Sequence, residues 1–136
     1  MRKCAVSATT AAFAAALVTS LAGAASPLPN LRSVAAKQRH VVVTFALGEL
    51  VPGRILVASR AATTASGKFV AANIRLNEPL RSVKTSTGYR ARTRHTLPRG
   101  RYYVQISGTV LLTDCTRLKP CPTHWSNVRR VRIPAS

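Results

Sequence analysis

The stretch LPRGRYYVQISGTV, residues 97–110, holds the clearest strand signal in the chain. Tyrosine and β-branched residues follow the turn residues PRG, and this composition is typical of a β-strand. Tyr102, Val104 and Ile106 are spaced two residues apart and therefore share one face of the strand. We predict a strand over 101–110 whose Tyr102 side chain points into the core.

Similar short strand signals recur along the chain at intervals of about eight to twelve residues, and turn residues separate them. They are HVVVTFAL at 40–47, RILVAS at 54–59, a strand around 73–76, one or two strands in 80–97 broken near Thr87 and Gly88, and SNVRRVRIP at 126–134. Residues 48–53 are predicted as a turn, 60–68 as a polar loop and 25–39 as an irregular lead-in. About seven short strands without helices predict an all-β fold, an antiparallel β-sandwich or barrel.

The first 25 residues have the organisation of a secretory signal peptide. Arg2 and Lys3 precede an apolar stretch over 11–21, and small residues follow it. The apolar stretch is well short of the ~20 residues that a membrane-spanning helix needs. We therefore predict a signal peptide over 1–25, which also removes Cys4. A single domain over 26–136 follows, without a membrane-spanning segment. It is expected to be secreted, either released or held at the envelope by charge.

Cys115 and Cys121 are the cysteines that remain after this cleavage. An even pair in an exported protein most simply forms a disulfide. A zinc site is the rival interpretation, but it would need two more ligands, and His124 is the only nearby candidate. We predict a disulfide between Cys115 and Cys121, and neither a metal nor a cofactor.

Positive charge dominates the composition. The chain has 21 lysines and arginines against 3 acidic residues, a formal charge of +18. Such a balance keeps a protein soluble and attracts polyanions. A solvated basic surface without a dedicated ligand is the plainer interpretation. As a third explanation, the prevalence of arginine could reflect a GC-rich genome.

Two groups of arginines are candidates for binding a polyanion. In YRARTRH, residues 89–95, Arg90, Arg92 and Arg94 would project from one face of a strand at steps of about 6.8 Å. The second group, on the last predicted strand, is Arg129, Arg130 and Arg132. A bulge near Arg129 and Arg130 would let Val128, Val131 and Ile133 all face inward.

The sequence has few features that would support a catalytic site. Asp114, His124 and Ser126 are the residue types of a hydrolase triad, but no nucleophile elbow or glycine-rich oxyanion loop accompanies them. The three acidic residues are scattered, and the histidines lack metal-ligand spacing. No phosphate-binding glycine loop is present. We therefore predict that the protein is not an enzyme.

The mature chain resembles a fibronectin type III or immunoglobulin-like domain from about residue 27 to 134. The resemblance is carried by Pro27 and Pro29, by HVVVTF and RILVAS, and by LPRGRYYVQISG and SNVRRVRIP. It implies a β-sandwich of about seven strands, with the two arginine groups in different sheets. It also implies a structural corner at Leu97, Gly100 and Tyr102, in which the tyrosine hydroxyl bonds to nearby backbone. Phe45 stands where this family usually has tryptophan.

The same resemblance places Cys115 and Cys121 in a long loop between the last two strands. Its candidate recognition residues are Arg117, Lys119, His124 and Trp125. A long disulfide-bonded loop that carries an aromatic residue is typical of a recognition loop, but a purely structural role, in which the loop covers the end of the core, is the favoured interpretation.

Because the resemblance implies no chemistry, the expected function is broad. We expect an exported, non-enzymatic binding or structural module whose partner is a protein or an anionic cell-envelope polymer. The alternative is a cationic polyanion-binding or antimicrobial protein that acts through its arginines and binds nucleic acid only nonspecifically.

Overall fold

Two antiparallel β-sheets pack face to face in a computed structural model that describes residues 28–110, 115–116 and 118–135. The predicted all-β sandwich is thereby confirmed. The predicted signal peptide over 1–25 and Arg117 of the predicted loop lie outside the described residues. No helix in the described part of the chain is long and apolar enough to cross a membrane.

Nine strands lie in the described residues. They are β1 (Asn30–Lys37), β2 (His40–Ala46), β3 (Val51–Ala58), β4 (Ile74–Pro79), β5 (Ser82–Thr85), β6 (Gly88–Arg92), β7 (Gly100–Thr109), β8 (Thr123–Trp125) and β9 (Arg129–Ile133). The four-stranded sheet has the order β1-β2-β6-β5. The five-stranded sheet has the order β4-β3-β7-β8, and β9 pairs with the other half of β7.

The prediction of about seven strands was too low because two segments taken as irregular are strands. The lead-in predicted over 25–39 contains β1, which pairs with β2 along most of its length. Leu31 is the one fully buried side chain of β1, so the strand carries little apolar alternation. The loop predicted between the last two strands contains β8. The turn predicted over 48–53 is also shorter, since β3 begins at Val51.

The main core lies between the two sheets and follows the alternation of the sequence. Val41, Val43 and Phe45 from β2 are fully buried, and so are Val104 and Ile106 from β7. In these two strands the inward positions come from every second residue, so each of them contributes one apolar face to the core.

No bulge interrupts β9. Its pairing with β7 runs in continuous register from Gly100 opposite Ile133 to Val104 opposite Arg129. Val131 and Ile133 are buried in the main core, whereas Val128 packs on the outer side of the five-stranded sheet. The predicted bulge was therefore wrong, and strict alternation places neighbouring arginines of β9 on opposite sides of the strand.

A second apolar cluster covers part of the outer face of the five-stranded sheet. Leu56, Ala58 and Phe69 form its buried centre. Phe69 belongs to the connection between β3 and β4, residues 59–73, which we call the β3–β4 cover. The Gln105 side chain is fully buried beneath this cover. Its amide nitrogen donates to the Gly67 carbonyl at 2.9 Å, and its oxygen accepts from the Phe69 N–H at 2.8 Å.

The corner before β7 is held by Tyr102. Its side chain is buried, and its hydroxyl donates to the Pro98 carbonyl at 2.8 Å. Leu97 is buried beside it, and its N–H donates to the Arg39 carbonyl at 3.0 Å. Gly100 has a φ of +154°, a value that side chains disfavour, and a Cβ there would lie 3.5 Å from the Tyr102 ring.

Tyr102→Phe should lower the free energy of unfolding by about 1–1.5 kcal/mol, because it removes one hydrogen bond and leaves the Pro98 carbonyl without that donor. Urea unfolding of the two proteins measures the difference. Tyr103→Phe is the matched control, since the Tyr103 hydroxyl makes no hydrogen bond within the described residues. Equal losses from both substitutions would contradict a specific role for the corner.

Candidate anion-binding surface

The acidic residues described in the structure neutralise none of its lysines or arginines. Glu49 is exposed, and Glu78 is buried. Within the described residues, the single carboxylate contact shorter than 4.0 Å to a basic group joins Glu78 to the His95 ring at 2.7 Å. The arginines and lysines of these segments therefore present uncompensated positive charge.

Glu78 directs its charge into the sandwich. It lies on β4 in the five-stranded sheet and accepts hydrogen bonds from the Arg94 and His95 N–H groups at 2.7 and 2.9 Å. Both donors follow β6 of the opposite sheet, so the carboxylate ties the two sheets together. Burial by itself raises the pKa of Glu78. The hydrogen bonds from Arg94 and His95, with the charge of His95, outweigh burial and hold the pKa below its ordinary value.

Several arginines serve the fold through hydrogen bonds to protein groups. Arg39 donates to the Leu97 carbonyl at 3.2 Å, and Arg129 donates to the Leu31 carbonyl at 2.7 Å. The others that donate to protein groups are Arg32, Arg54, Arg75 and Arg92. Arg129 is therefore unlike Arg130 and Arg132, with which the sequence had grouped it, because it helps to tie β9 to β1.

The first predicted arginine group lies on the four-stranded sheet. Arg90 and Arg92 are exposed on β6, on either side of the buried Ala91. Arg94 is exposed two residues beyond the end of this strand. Arg81 joins Arg90 and Arg92 around a depression of about 440 Å³, a proximity that its place in the sequence does not indicate.

The second predicted arginine group lies on the five-stranded sheet, as expected. Residues of β7 lie beside it. Arg101 stands directly opposite Arg132, and Tyr103 stands directly opposite Arg130. We call these four residues the β7–β9 arginine surface. They line a depression of about 350 Å³. Arg101 was missed as a candidate because its proximity to Arg132 depends on strand register, which links residues far apart in sequence.

The predicted disulfide is present, with the Cα atoms of Cys115 and Cys121 5.1 Å apart. Lys119 and His124 of the predicted recognition loop are exposed. Trp125 is half-buried on β8 and packs against the cluster around Phe69. The Lys68 ammonium group lies 5.6 Å from the centre of its ring. Trp125 thus contacts the β3–β4 cover, as a residue that stabilises the fold would do.

No family model, curated protein or solved structure matches this chain.

Proposed function

We propose that this protein is an exported, non-enzymatic binding module that attaches to anionic polymers of the cell envelope through its arginine-rich surface. The observation that carries this proposal is the absence of carboxylate partners for the arginines and lysines of the described segments. Unpaired guanidinium groups on both sheets attract polyanions and form charge-assisted hydrogen bonds with them.

Export is part of the proposal and is supported by two features. The order of charge, apolar stretch and small residues over 1–25 is that of a secretory signal peptide. The Cys115–Cys121 disulfide suits the oxidising environment outside the cytoplasm.

Kinship with immunoglobulin-like or fibronectin type III domains is also part of the proposal. In support, the order β1-β2-β6-β5 corresponds to strands A-B-E-D of that fold, and β4-β3-β7 corresponds to C′-C-F. Strands β8 and β9 together take the place of strand G. The hydrogen bond from Tyr102 to the Pro98 carbonyl lies at the corner before β7, where such domains have their tyrosine corner.

Recognition of a partner through the disulfide-bonded loop is the competing function. Trp125 is half-buried and packs against the β3–β4 cover, as a residue with a structural role does, and this packing favours the charged surface over the loop.

Retention on a heparin column and on the organism's own cell envelope should fall steeply with salt and should be the same for the wild type and Trp125→Ala. Counterion release at a handful of contacts predicts about a tenfold to hundredfold loss of affinity between about 50 and 200 mM salt. Circular dichroism of the variant confirms that it is folded. Envelope binding that survives high salt and is lost in Trp125→Ala alone would assign the interaction to the disulfide-bonded loop instead.

A further inference from the structure

We infer that the β7–β9 arginine surface is a specific binding site for an anionic sugar polymer, an inference that rests on the polyanion-binding function proposed above. Its residues are Arg101, Tyr103, Arg130 and Arg132. All four lie on the outward side of two paired strands, because their neighbours Tyr102 and Val131 are buried in the main core.

The register of β7 and β9 brings two positive charges directly opposite each other. In such pairs the Cβ atoms are about 4.5–5.5 Å apart, and like charges destabilise the sheet. No carboxylate in the described residues lies within 4.0 Å of Arg101 or Arg132. An anionic group bound between the two guanidinium groups would remove their repulsion, so the pair is arranged for a ligand more than for the stability of the free protein.

The donors of this surface are also unused. Within the described residues, the side chains of Arg101, Arg130 and Arg132 make no hydrogen bond to the protein, whereas the adjacent Arg129 donates to the Leu31 carbonyl. Each guanidinium group carries five N–H donors in a planar fork that matches sulfate, phosphate or carboxylate oxygens in pairs. Three such guanidinium groups on one face of the sheet can bind more than one anionic group.

The shape of the surface suits a chain more than a single ion. The depression of about 350 Å³ adjoins a second one of about 380 Å³ that is lined by Arg99, and Arg101 and Arg132 border both. Together they form a basic strip along the two strands. Arg130 and Arg132 are two residues apart on one strand, so their Cα atoms are about 7 Å apart. This distance leaves room for about one sugar unit between successive anionic groups.

Tyr103 favours a sugar polymer over a nucleic acid. It is half-buried opposite Arg130 and packs partly against the second apolar cluster, but it also lines the depression, where the exposed part of its ring can contact the C–H face of a sugar. Proteins that bind single-stranded nucleic acid without sequence preference stack successive bases on several aromatic side chains. Two aromatic residues line the strip, and one of them, Tyr102, is buried in the core. Tyr103 is therefore the one aromatic residue of the strip on which a base could stack.

Two double variants that remove the same charge test the site. R101Q/R132Q removes two arginines from the β7–β9 arginine surface, and R90Q/R92Q removes two from the other sheet. Binding of a heparin octasaccharide is measured by isothermal titration calorimetry over a salt series. For R101Q/R132Q we expect an affinity loss of at least about tenfold and a slope of log affinity against log salt that is smaller by about two. For R90Q/R92Q we expect a loss of less than about threefold.

The conservative variant R101K/R132K keeps both charges but replaces the planar forks. We expect it to bind with an affinity between those of the wild type and R101Q/R132Q, because lysine cannot form the paired hydrogen bonds. The melting temperature of R101Q/R132Q should equal or exceed that of the wild type, since the facing charges are removed. Its loss of binding is then not a loss of fold.

Each opposite result has a distinct meaning. Equal losses in R101Q/R132Q and R90Q/R92Q would overturn the specific site and leave the proposed function standing. Failure of the wild type to bind heparin or its own envelope at low salt would overturn the proposed function itself. Tighter binding to an oligothymidylate of equal charge than to the heparin octasaccharide would overturn the preference for a sugar polymer.

Discussion

Phe69→Ala should lower the free energy of unfolding by about 3–5 kcal/mol, the range expected when a buried phenylalanine is truncated. Phe69 is 1 % exposed and forms the buried centre of the second apolar cluster together with Leu56 and Ala58. Its backbone N–H is held by Gln105, so little of the β3–β4 cover can collapse into the space that the ring leaves. Thermal unfolding followed by circular dichroism measures the effect, and a fall of at least about 10 °C is expected.

Trypsin sensitivity gives a second measurement of the same substitution. Arg60 and Lys68 lie in the β3–β4 cover, and trypsin can cleave the backbone after them once this segment detaches from the sheet and unfolds locally. Phe69→Ala should therefore be cleaved within this segment at temperatures where the wild type is intact. Val83→Ala is the control, because Val83 is 70 % exposed and its truncation should change stability by less than about 0.5 kcal/mol. Intact Phe69→Ala with an unchanged melting temperature would show that the cover does not stabilise the sheet.

Glu78→Ala should lower the free energy of unfolding by about 2–4 kcal/mol at neutral pH. The substitution removes three hydrogen bonds to an ionised carboxylate and leaves the Arg94 and His95 N–H groups without their acceptors. Glu49→Ala is a matched control, since it also removes one negative charge but from an exposed position. Urea unfolding distinguishes the two variants, and equal effects would mean that net charge alone is responsible.

The contribution of Glu78 to stability should also depend on pH in a defined direction. Its pKa is lower in the folded protein than its ordinary value of 4.5, so the unfolded chain takes up the proton more readily. The stabilisation is therefore fully present above about pH 4.5 and is lost as pH falls through the lowered pKa. The difference in unfolding free energy between wild type and Glu78→Gln should shrink over that range. A difference that grows on acidification would contradict this assignment.

The strands that could be predicted are those whose burial follows a local period. In β2 and β7 every second residue is apolar, and the inward orientation of Tyr102 follows from that alternation alone. Strand β1 could not be predicted in this way because Leu31 is its one fully buried residue. It is a strand because β2 supplies its hydrogen bonds and not because of its own composition.

The features that sequence reasoning missed depend on contacts between distant residues. Phe69 lies among small and polar residues that have no period, so nothing local shows that it is buried. Gln105 is polar, yet it is fully buried because it satisfies two backbone groups of the β3–β4 cover. Only part of the candidate site could be predicted from the sequence. Arg130 and Arg132 were selected from their own segment, but their association with Arg101 and Tyr103 appears only when the register of β7 and β9 is known.

The bonds between β1 and the segment before β9 bear on when the protein can fold during its synthesis. The N–H and carbonyl groups of Leu31 are held by the Asn127 side chain, 96 residues later, and Arg129 adds a further bond to the same carbonyl. These contacts cannot form until almost the whole domain has left the ribosome. Contacts between such distant residues also slow folding. For a chain that is exported as proposed, these last contacts of the sandwich can form only after the segment before β9 has also crossed the membrane.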